Sequence, residues 1–463
     1  MNEKQISEIV ASVIKSMETT GAKTNLKGVF TNMTDALNAV QKAYKELKNY
    51  TVAQREEMIK NIRRLTLEEA QTMAKLGVEE TGMGRVADKI IKHQLVAKKT
   101  PGTEDLHPTA ITGDDGLTLI EMAPYGVIGS ITPSTNPSET VLCNSMGMIA
   151  GGNGVVFNPH PHASRTANYA VDLVNRAVLE AGGPENIVVS VEHPTKESSD
   201  EMMHSPIVRM LVATGGPGVV KALLSSGKKA IGAGAGNPPV IVDDTADIKK
   251  AAEDIVNGSS FDNNLPCIAE KECFAFRNIA DELIAEMQKH GAYLVKGDEI
   301  DKLLALCTIE KNGKYSINKD WVGRDALKFL SAVGISAPAD TKLIICETNK
   351  DHPFVQTELM MPILAIVRVD NIDQAIDWAV EAEHGNRHSA HIHSKNVDHL
   401  TRFARAVETT IFVKNAPSYA GIGAGGEGYT TFTIAGPTGE GLTAAHSFTR
   451  SRRCVLVDGF HIV

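Results

Sequence analysis

The stretch Gly126-Val127-Ile128-Gly129-Ser130-Ile131-Thr132-Pro133-Ser134-Thr135-Asn136-Pro137 carries an apolar strand pattern directly into turn residues. Working outward, residues 154–157, 187–190 and 207–213 repeat the short apolar run, with helical stretches near 163–181 and 217–226 among them. Strands alternating with helices predict a mostly parallel sheet with crossover helices. The rhythm restarts at 239–242 and continues through 272–276, 343–346, 363–369 and 410–413, so two α/β units in tandem are expected. Upstream, 34–48 and 52–77 read as helices. Residues 109–122, hairpin-like around Gly113-Asp114-Asp115-Gly116, and 454–457 suit edge strands outside the two main sheets.

Composition narrows the class. A chain of 463 residues is too long for one ordinary core, and 42% hydrophobic with 22% charged residues is normal for a soluble globular protein. The formal net charge of -9 argues against a nucleic-acid partner, because nothing in the balance attracts phosphate backbones. No window approaches the apolar length of a membrane span, and the N-terminus lacks a signal peptide's basic start. Six cysteines without a CxxC pair are too sparse for a disulfide scaffold and suit a reducing cytosol.

The first segment stands apart. Ile6, Ile9, Val10, Val13, Ile14 and Met17 form one stripe of an amphipathic helix, and a polar stretch from Glu18 to Asn25 follows it as a linker.

Three segments carry candidate chemistry. Cys267 lies in Asp262-Asn263-Asn264-Leu265-Pro266-Cys267-Ile268, a loop between a helical pattern and a strand. Such loops present nucleophiles, yet a free thiol with a pKa near ~8.5 needs local activation. The loop alone leaves a buried structural cysteine as an equal reading. Asn136, at the carboxyl end of a strand, can aim its amide into the ligand crevice of an α/β protein and donate to a developing oxyanion. Local sequence alone favours the plainer role, a turn Asn capping its own backbone. Thr214-Gly215-Gly216-Pro217-Gly218 takes a strand through glycines into a helix start, an arrangement suited to phosphate. Gly232, Gly234 and Gly236 mimic a dinucleotide fingerprint, but Pro238 and Pro239 forbid the helix that motif must open.

Taken in order, the segments resemble the aldehyde dehydrogenase superfamily from about residue 25 to the end. The set comprises Pro133-x-x-Asn136-Pro137, Asn158-Pro159, Thr214-Gly215-Gly216, Gly236-x-x-Pro239, Asn264-Leu265-Pro266-Cys267 and Glu358-Leu359-Met360-Met361-Pro362. With the ending Pro437-Thr438-Gly439-Glu440-Gly441 and Phe448 to Cys454, the chain looks like the CoA-acylating propionaldehyde and acetaldehyde dehydrogenases of bacterial microcompartments. The resemblance implies two tandem Rossmann-type α/β domains plus a small β oligomerisation flap. It places an NAD- and CoA-binding domain at 20–105 and 124–232, a catalytic domain at 233–433, and the flap at 106–123 and 434–463. Residues 1–19 would be a docking helix, with 1–17 binding a shell protein inside a microcompartment of the bacterial cytoplasm. Dimers or tetramers are implied.

The same resemblance implies roles residue by residue. Cys267 is the nucleophile, and Asn136 with the Cys267 backbone N–H forms the oxyanion hole. Thr214, Gly215 and Gly216 lie against the cofactor pyrophosphate, Glu358 holds the nicotinamide ribose, and Asn158 stands near the adenine ribose. Pro161 replaces an acidic residue of many NAD-preferring members, which leaves room for some use of NADP. Hydrolytic members carry Glu-Leu-Gly-Gly where this chain has Ala233-Gly234-Ala235-Gly236. Without that carboxylate, water attack on the thioester loses general-base help worth roughly 10²–10⁴. Coenzyme A, a thiol, is then the expected acyl acceptor, and a hydrolytic enzyme giving the free acid is the alternative. His384, His388, His391 and His393 cluster without a metal-ligand set and read as solvated or structural, so no metal is expected. His384 is the candidate base for the CoA thiol.

Overall fold

The computed structural model describes residues 26–463. The amphipathic segment 1–17 and its linker lie outside the described residues.

The decisive stretch forms the strand Val127–Thr132, next to the middle of a six-stranded parallel sheet. In spatial order the strands are Val29–Phe30, Val188–Val191, Gly154–Pro159, Val127–Thr132, Val208–Thr214 and Lys229–Ala233. Helices cover both faces, so the inner strands read as nearly unbroken apolar runs. Pro137–Ala150, entered through Pro137 in its first turn, is buried at all 14 positions and acts as a core helix. Val52–Thr81 opens with a capping box at Thr51 and stops at Gly82, whose φ of 66° only glycine adopts freely.

A second parallel sheet has seven strands, ordered Ala292–Val295, Leu343–Glu347, Ile363–Val369, Glu272–Phe276, Pro239–Val242, Ser389–His393 and Ile411–Lys414. A third, antiparallel sheet joins Thr109–Gly113, Gly116–Pro124 and Thr449–Val457, with Gly113 paired to Gly116 across the turn. Its last strand starts at Thr449, well before the expected 454. Of residues 434–463, only that strand joins the flap. The short pair Ile434–Ala435 and Gly441–Leu442 packs beside Lys229–Ala233, where Gly232 N–H donates to Thr438 Oγ1 at 3.2 Å. Ala233, expected at the start of the second unit, ends the edge strand of the first sheet.

The two main sheets contribute opposite edges to the site. Asn136 and Thr214 to Gly216 follow or end strands of the first sheet at their carboxyl ends. The loops holding Gly236, Cys267, Glu358 and His384 all enter strands of the second sheet at their amino ends.

Candidate active site

The nucleophile loop begins where the helix Ile248–Ser260 ends. Asp262, Asn263 and Asn264 take φ of 48°, 56° and 65°, three consecutive left-handed residues. Asn and Asp tolerate that region because their short polar side chains bond locally. Asn264 Nδ2 donates to Ser259 O at 2.8 Å and Glu270 O at 3.0 Å, and Asn263 Nδ2 donates to Gly323 O at 2.9 Å. Lys271 closes the loop, with Nζ 2.6 Å from Asn264 Oδ1 and 3.3 Å from Pro266 O. Cys267 emerges half-buried and packs with Ile268 against the core of the first unit. Cys143, Cys273, Cys307 and Cys346 are buried, and Cys454 lies exposed on the flap.

Asn136 does not cap its own helix, contrary to its plainer sequence reading. Its Oδ1 instead accepts from Lys92 Nζ at 2.6 Å. Lys92, fully buried, also reaches Asp262 Oδ2 at 2.7 Å and Glu139 Oε1 at 2.8 Å. Lys89 Nζ shares Asp262 Oδ2 at 3.0 Å. Burial alone would lower the Lys92 pKa, but Asp262 and Glu139 outweigh it and hold the ammonium charged. The cluster ties Asn136 to the residue that opens the nucleophile loop.

Two charged groups, Glu358 and Lys271, act on Cys267. Burial, with a further push from Glu358, raises its thiol pKa to about 12, and Lys271 opposes the rise. Glu358 is itself pushed up to about 7 by burial, with Lys271 and the Gly236 N–H favouring its charged form. Gly236 threads between two groups: a Cβ there would stand 2.9 Å from His388 Cγ and 3.0 Å from the Cys267 carbonyl oxygen. No side chain fits.

The histidines divide. His388, His391 and His393 are buried, and burial lowers their pKa values to about 3, 4 and 3. His391 Nε2 lies 2.9 Å from Ile268 O, a structural bond to the nucleophile loop. His384 is exposed at the left-handed end of the helix Ile372–Glu383, its Nε2 3.0 Å from Gln356 O. Among the described residues it has no hydrogen bond to Cys267.

The first sheet supplies a cradle suited to a dinucleotide. A Cβ built on Gly215, Gly216 or Gly218 meets no atom within 4 Å, so the backbone there is open to a ligand. The helix Pro217–Leu224 starts at Gly216 without a side-chain cap, which suits a phosphate at its N-terminus. Thr214 Oγ1 bonds Thr433 Oγ1 at 2.9 Å, and Gly215 N–H donates to Ala233 O at 3.1 Å. Asn158 is held by bonds of its own. Its Nδ2 donates to Thr195 O at 3.3 Å and its Oδ1 accepts from Ser198 Oγ at 2.6 Å, so the amide secures the start of the helix Lys196–His204.

Sequence reasoning missed Lys92, Asp262, Glu139 and Lys271. Only the Asp262-Asn263-Asn264 run hinted at them, because it announces a special turn.

Comparison with known proteins agrees with this geometry. The aldehyde dehydrogenase family matches residues 13–436. The chain is 46% identical to the acetylating acetaldehyde dehydrogenase of Escherichia coli over 100% of both chains. It is 57% identical to a propionaldehyde dehydrogenase from the fucose utilisation bacterial microcompartment of Clostridium phytofermentans, covering 94% of this chain and 100% of that one with a TM-score of 0.93. A Rhodopseudomonas palustris propionaldehyde dehydrogenase, solved with bound CoA and an acylated cysteine, is 54% identical over 94% of this chain and 99% of its own, at a TM-score of 0.92. The chain belongs to the aldehyde dehydrogenase family, among its CoA-acylating members.

Proposed function

We propose that the protein converts a short-chain aldehyde, NAD+ and CoA into acyl-CoA, NADH and a proton through a thioester on Cys267. The observation that carries this reading is the loop itself. Cys267 is the one half-buried cysteine, in a loop braced by Lys271, and Asp262 of that loop pairs with the same Lys92 that anchors the Asn136 amide.

The Cys267 thiolate adds to the aldehyde carbon, and the Asn136 Nδ2 with the Cys267 N–H stabilises the resulting oxyanion. The open backbone at Gly215 and Gly216 receives the cofactor pyrophosphate, and Glu358 takes the nicotinamide ribose. NAD+ supplies the hydride acceptor when bound, and the absence of an acidic residue at Pro161 leaves room for NADP. CoA thiolate then displaces Cys267 from the acyl group. The exposed His384 is the candidate proton acceptor for that thiol.

Cys267→Ser should abolish aldehyde oxidation, because a hydroxyl at its ordinary pKa is a poor nucleophile, while Cys143→Ser retains it. Turnover near the wild-type rate in the Cys267 variant would refute the mechanism. Assaying acyl-CoA against free acid separates the acylating from the hydrolytic outcome.

A location inside a bacterial microcompartment is supported by the Clostridium phytofermentans relative and by the apolar stripe from Ile6 to Met17. Residues 1–17 would dock on a shell protein by burying that stripe. Deleting residues 1–20 should leave turnover intact and abolish co-purification with shells; a truncated enzyme that loses activity would assign the segment to the catalytic core. Assembly as a dimer or tetramer through the flap is supported by the exposed strand Thr449–Val457.

A further inference from the structure

We infer that Lys92 is a positioning residue of the oxyanion hole, fixing which end of the Asn136 amide faces the nucleophile. The inference rests on the reading of Asn136 as an oxyanion donor. A carboxamide presents an acceptor at one end and a donor at the other, and unrestrained it turns either way. An ammonium only donates. With Lys92 Nζ 2.6 Å from Asn136 Oδ1, the oxygen is committed to Lys92 and Nδ2 points away from it, 3.3 Å from Thr135 Oγ1, a hydroxyl that can donate as well as accept and so does not itself select an end. A flipped amide would set Nδ2 against a cation and turn its oxygen on the developing oxyanion, repelling what it should stabilise.

The surrounding bonds restrict Lys92 to this orientation. Its ammonium donates to Asn136 Oδ1, forms ion pairs with Glu139 at 2.8 Å and Asp262 at 2.7 Å, and lies 5.7 Å from the centre of the Phe432 ring. The helix Val86–Lys99 supplies Lys92, Pro137–Ala150 supplies Glu139, and the nucleophile loop supplies Asp262. One ammonium therefore sets the distance between the side-chain half of the oxyanion hole and the loop carrying its backbone half. Asp262 has a second partner in Lys89 at 3.0 Å, whereas Asn136 Oδ1 bonds Lys92 alone among the side-chain donors described. Loss of Lys92 should consequently fall on Asn136 more than on the loop.

The test pairs charge-balanced variants with a reaction that needs no oxyanion hole. K92M/E139Q removes one cation and one anion and leaves Lys89 paired with Asp262, which protects the fold from a stranded buried charge. K92Q/E139Q keeps a neutral donor at position 92. The pre-steady-state burst of NADH reports addition and hydride transfer, whereas alkylation of Cys267 by iodoacetamide reports the thiol without any oxyanion. The burst should fall on the order of 10- to 100-fold in K92M/E139Q, somewhat less than the roughly 10²–10³ for losing an oxyanion donor outright because the amide is misoriented and not removed, and less still in K92Q/E139Q. Alkylation should stay within about twofold of wild type. In an Asn136→Ala background, adding K92M/E139Q should cost nothing further, as expected of residues acting as one unit. Wild-type bursts in both charge-balanced variants would overturn the role of Lys92 while leaving Asn136 in place. A parallel fall in alkylation and burst would overturn it too, by showing that Lys92 acts through the loop. A wild-type burst in Asn136→Ala alone would instead remove the oxyanion reading beneath it.

Discussion

Lys271 Nζ lies 2.6 Å from Asn264 Oδ1 and 3.0 Å from the Asn264 carbonyl oxygen, both within the loop that presents Cys267. It thus braces the loop mechanically and places a cation where it favours the Cys267 thiolate. Lys271→Met removes both effects. Because each unit of thiol pKa changes the thiolate fraction tenfold at lower pH, alkylation of Cys267 at pH 8 should slow by about tenfold or more. An unchanged alkylation profile between pH 6 and 10 would contradict this role.

Glu358 acts on the same thiol with the opposite sign, and its own ionisation near pH 7 makes the effect pH-dependent. Below pH 6 the carboxyl is largely neutral, so Glu358→Gln should leave alkylation of Cys267 nearly unchanged. Above pH 8 the wild type carries the extra negative charge, and the variant should react several-fold faster. Equal ratios at both ends of the range would show that the two groups do not sense each other.

The residues that could be read in advance are those whose signal is local. Val127–Thr132, Pro239–Val242, Glu272–Phe276 and Ile363–Val369 are short apolar runs between turn residues, and they fall where the pattern predicts. Val29–Phe30 is too short to show a period. Lys229–Ala233 is built of Lys, Ala, Ile and Gly, a composition without the usual strand preference, and pairs only because Val208–Thr214 offers it an edge. The hairpin Thr308–Ile317 gathers Glu310, Lys311 and Lys314 around its Asn312-Gly313 turn, which leaves no apolar run to mark it. Cys267 and Asn136 stand out through neighbouring Pro and Asn residues. Lys92 does not. In a helix bearing Lys89, Lys98 and Lys99 it reads as one more solvated cation, and only the approach of Asp262 and Glu139 from distant parts of the chain buries it.

Ala233 bears on the fate of the acyl group. It is 3% exposed and ends the edge strand of the first sheet, where its carbonyl accepts from Gly215 N–H at 3.1 Å. Its methyl group offers no proton acceptor to a deacylating water. With aldehyde and NAD+ but no CoA, the wild type should release one equivalent of NADH per active site and stall. Ala233→Glu should add slow turnover of free acid if the backbone carries the carboxylate to the thioester. Sustained NADH production by the wild type without CoA would place the enzyme with the hydrolytic members.

Glu270 is fully buried three residues after the nucleophile, and burial raises its pKa to about 7 although Ser418 N–H donates to Oε1 at 2.9 Å. Its other oxygen, Oε2, has no hydrogen-bond partner among the described residues. The folded pKa exceeds the ordinary value of 4.5, so the protonated form is favoured by folding and the ionised form is not. The stabilising contribution is complete below pH 4.5, is lost as pH rises to about 7, and amounts to about 3 kcal/mol across that window. Glu270→Gln keeps an acceptor for Ser418 and removes the titration. Its own unmatched amide N–H donors cost a constant amount, so the absolute stabilities need not rank in its favour at every pH. The difference between them should still move. From pH 5 to pH 8 the unfolding midpoint of the variant should rise relative to wild type, by an amount that saturates above pH 8. A constant offset across that range would mean that Glu270 is already ionised at pH 5, with a buried partner for Oε2.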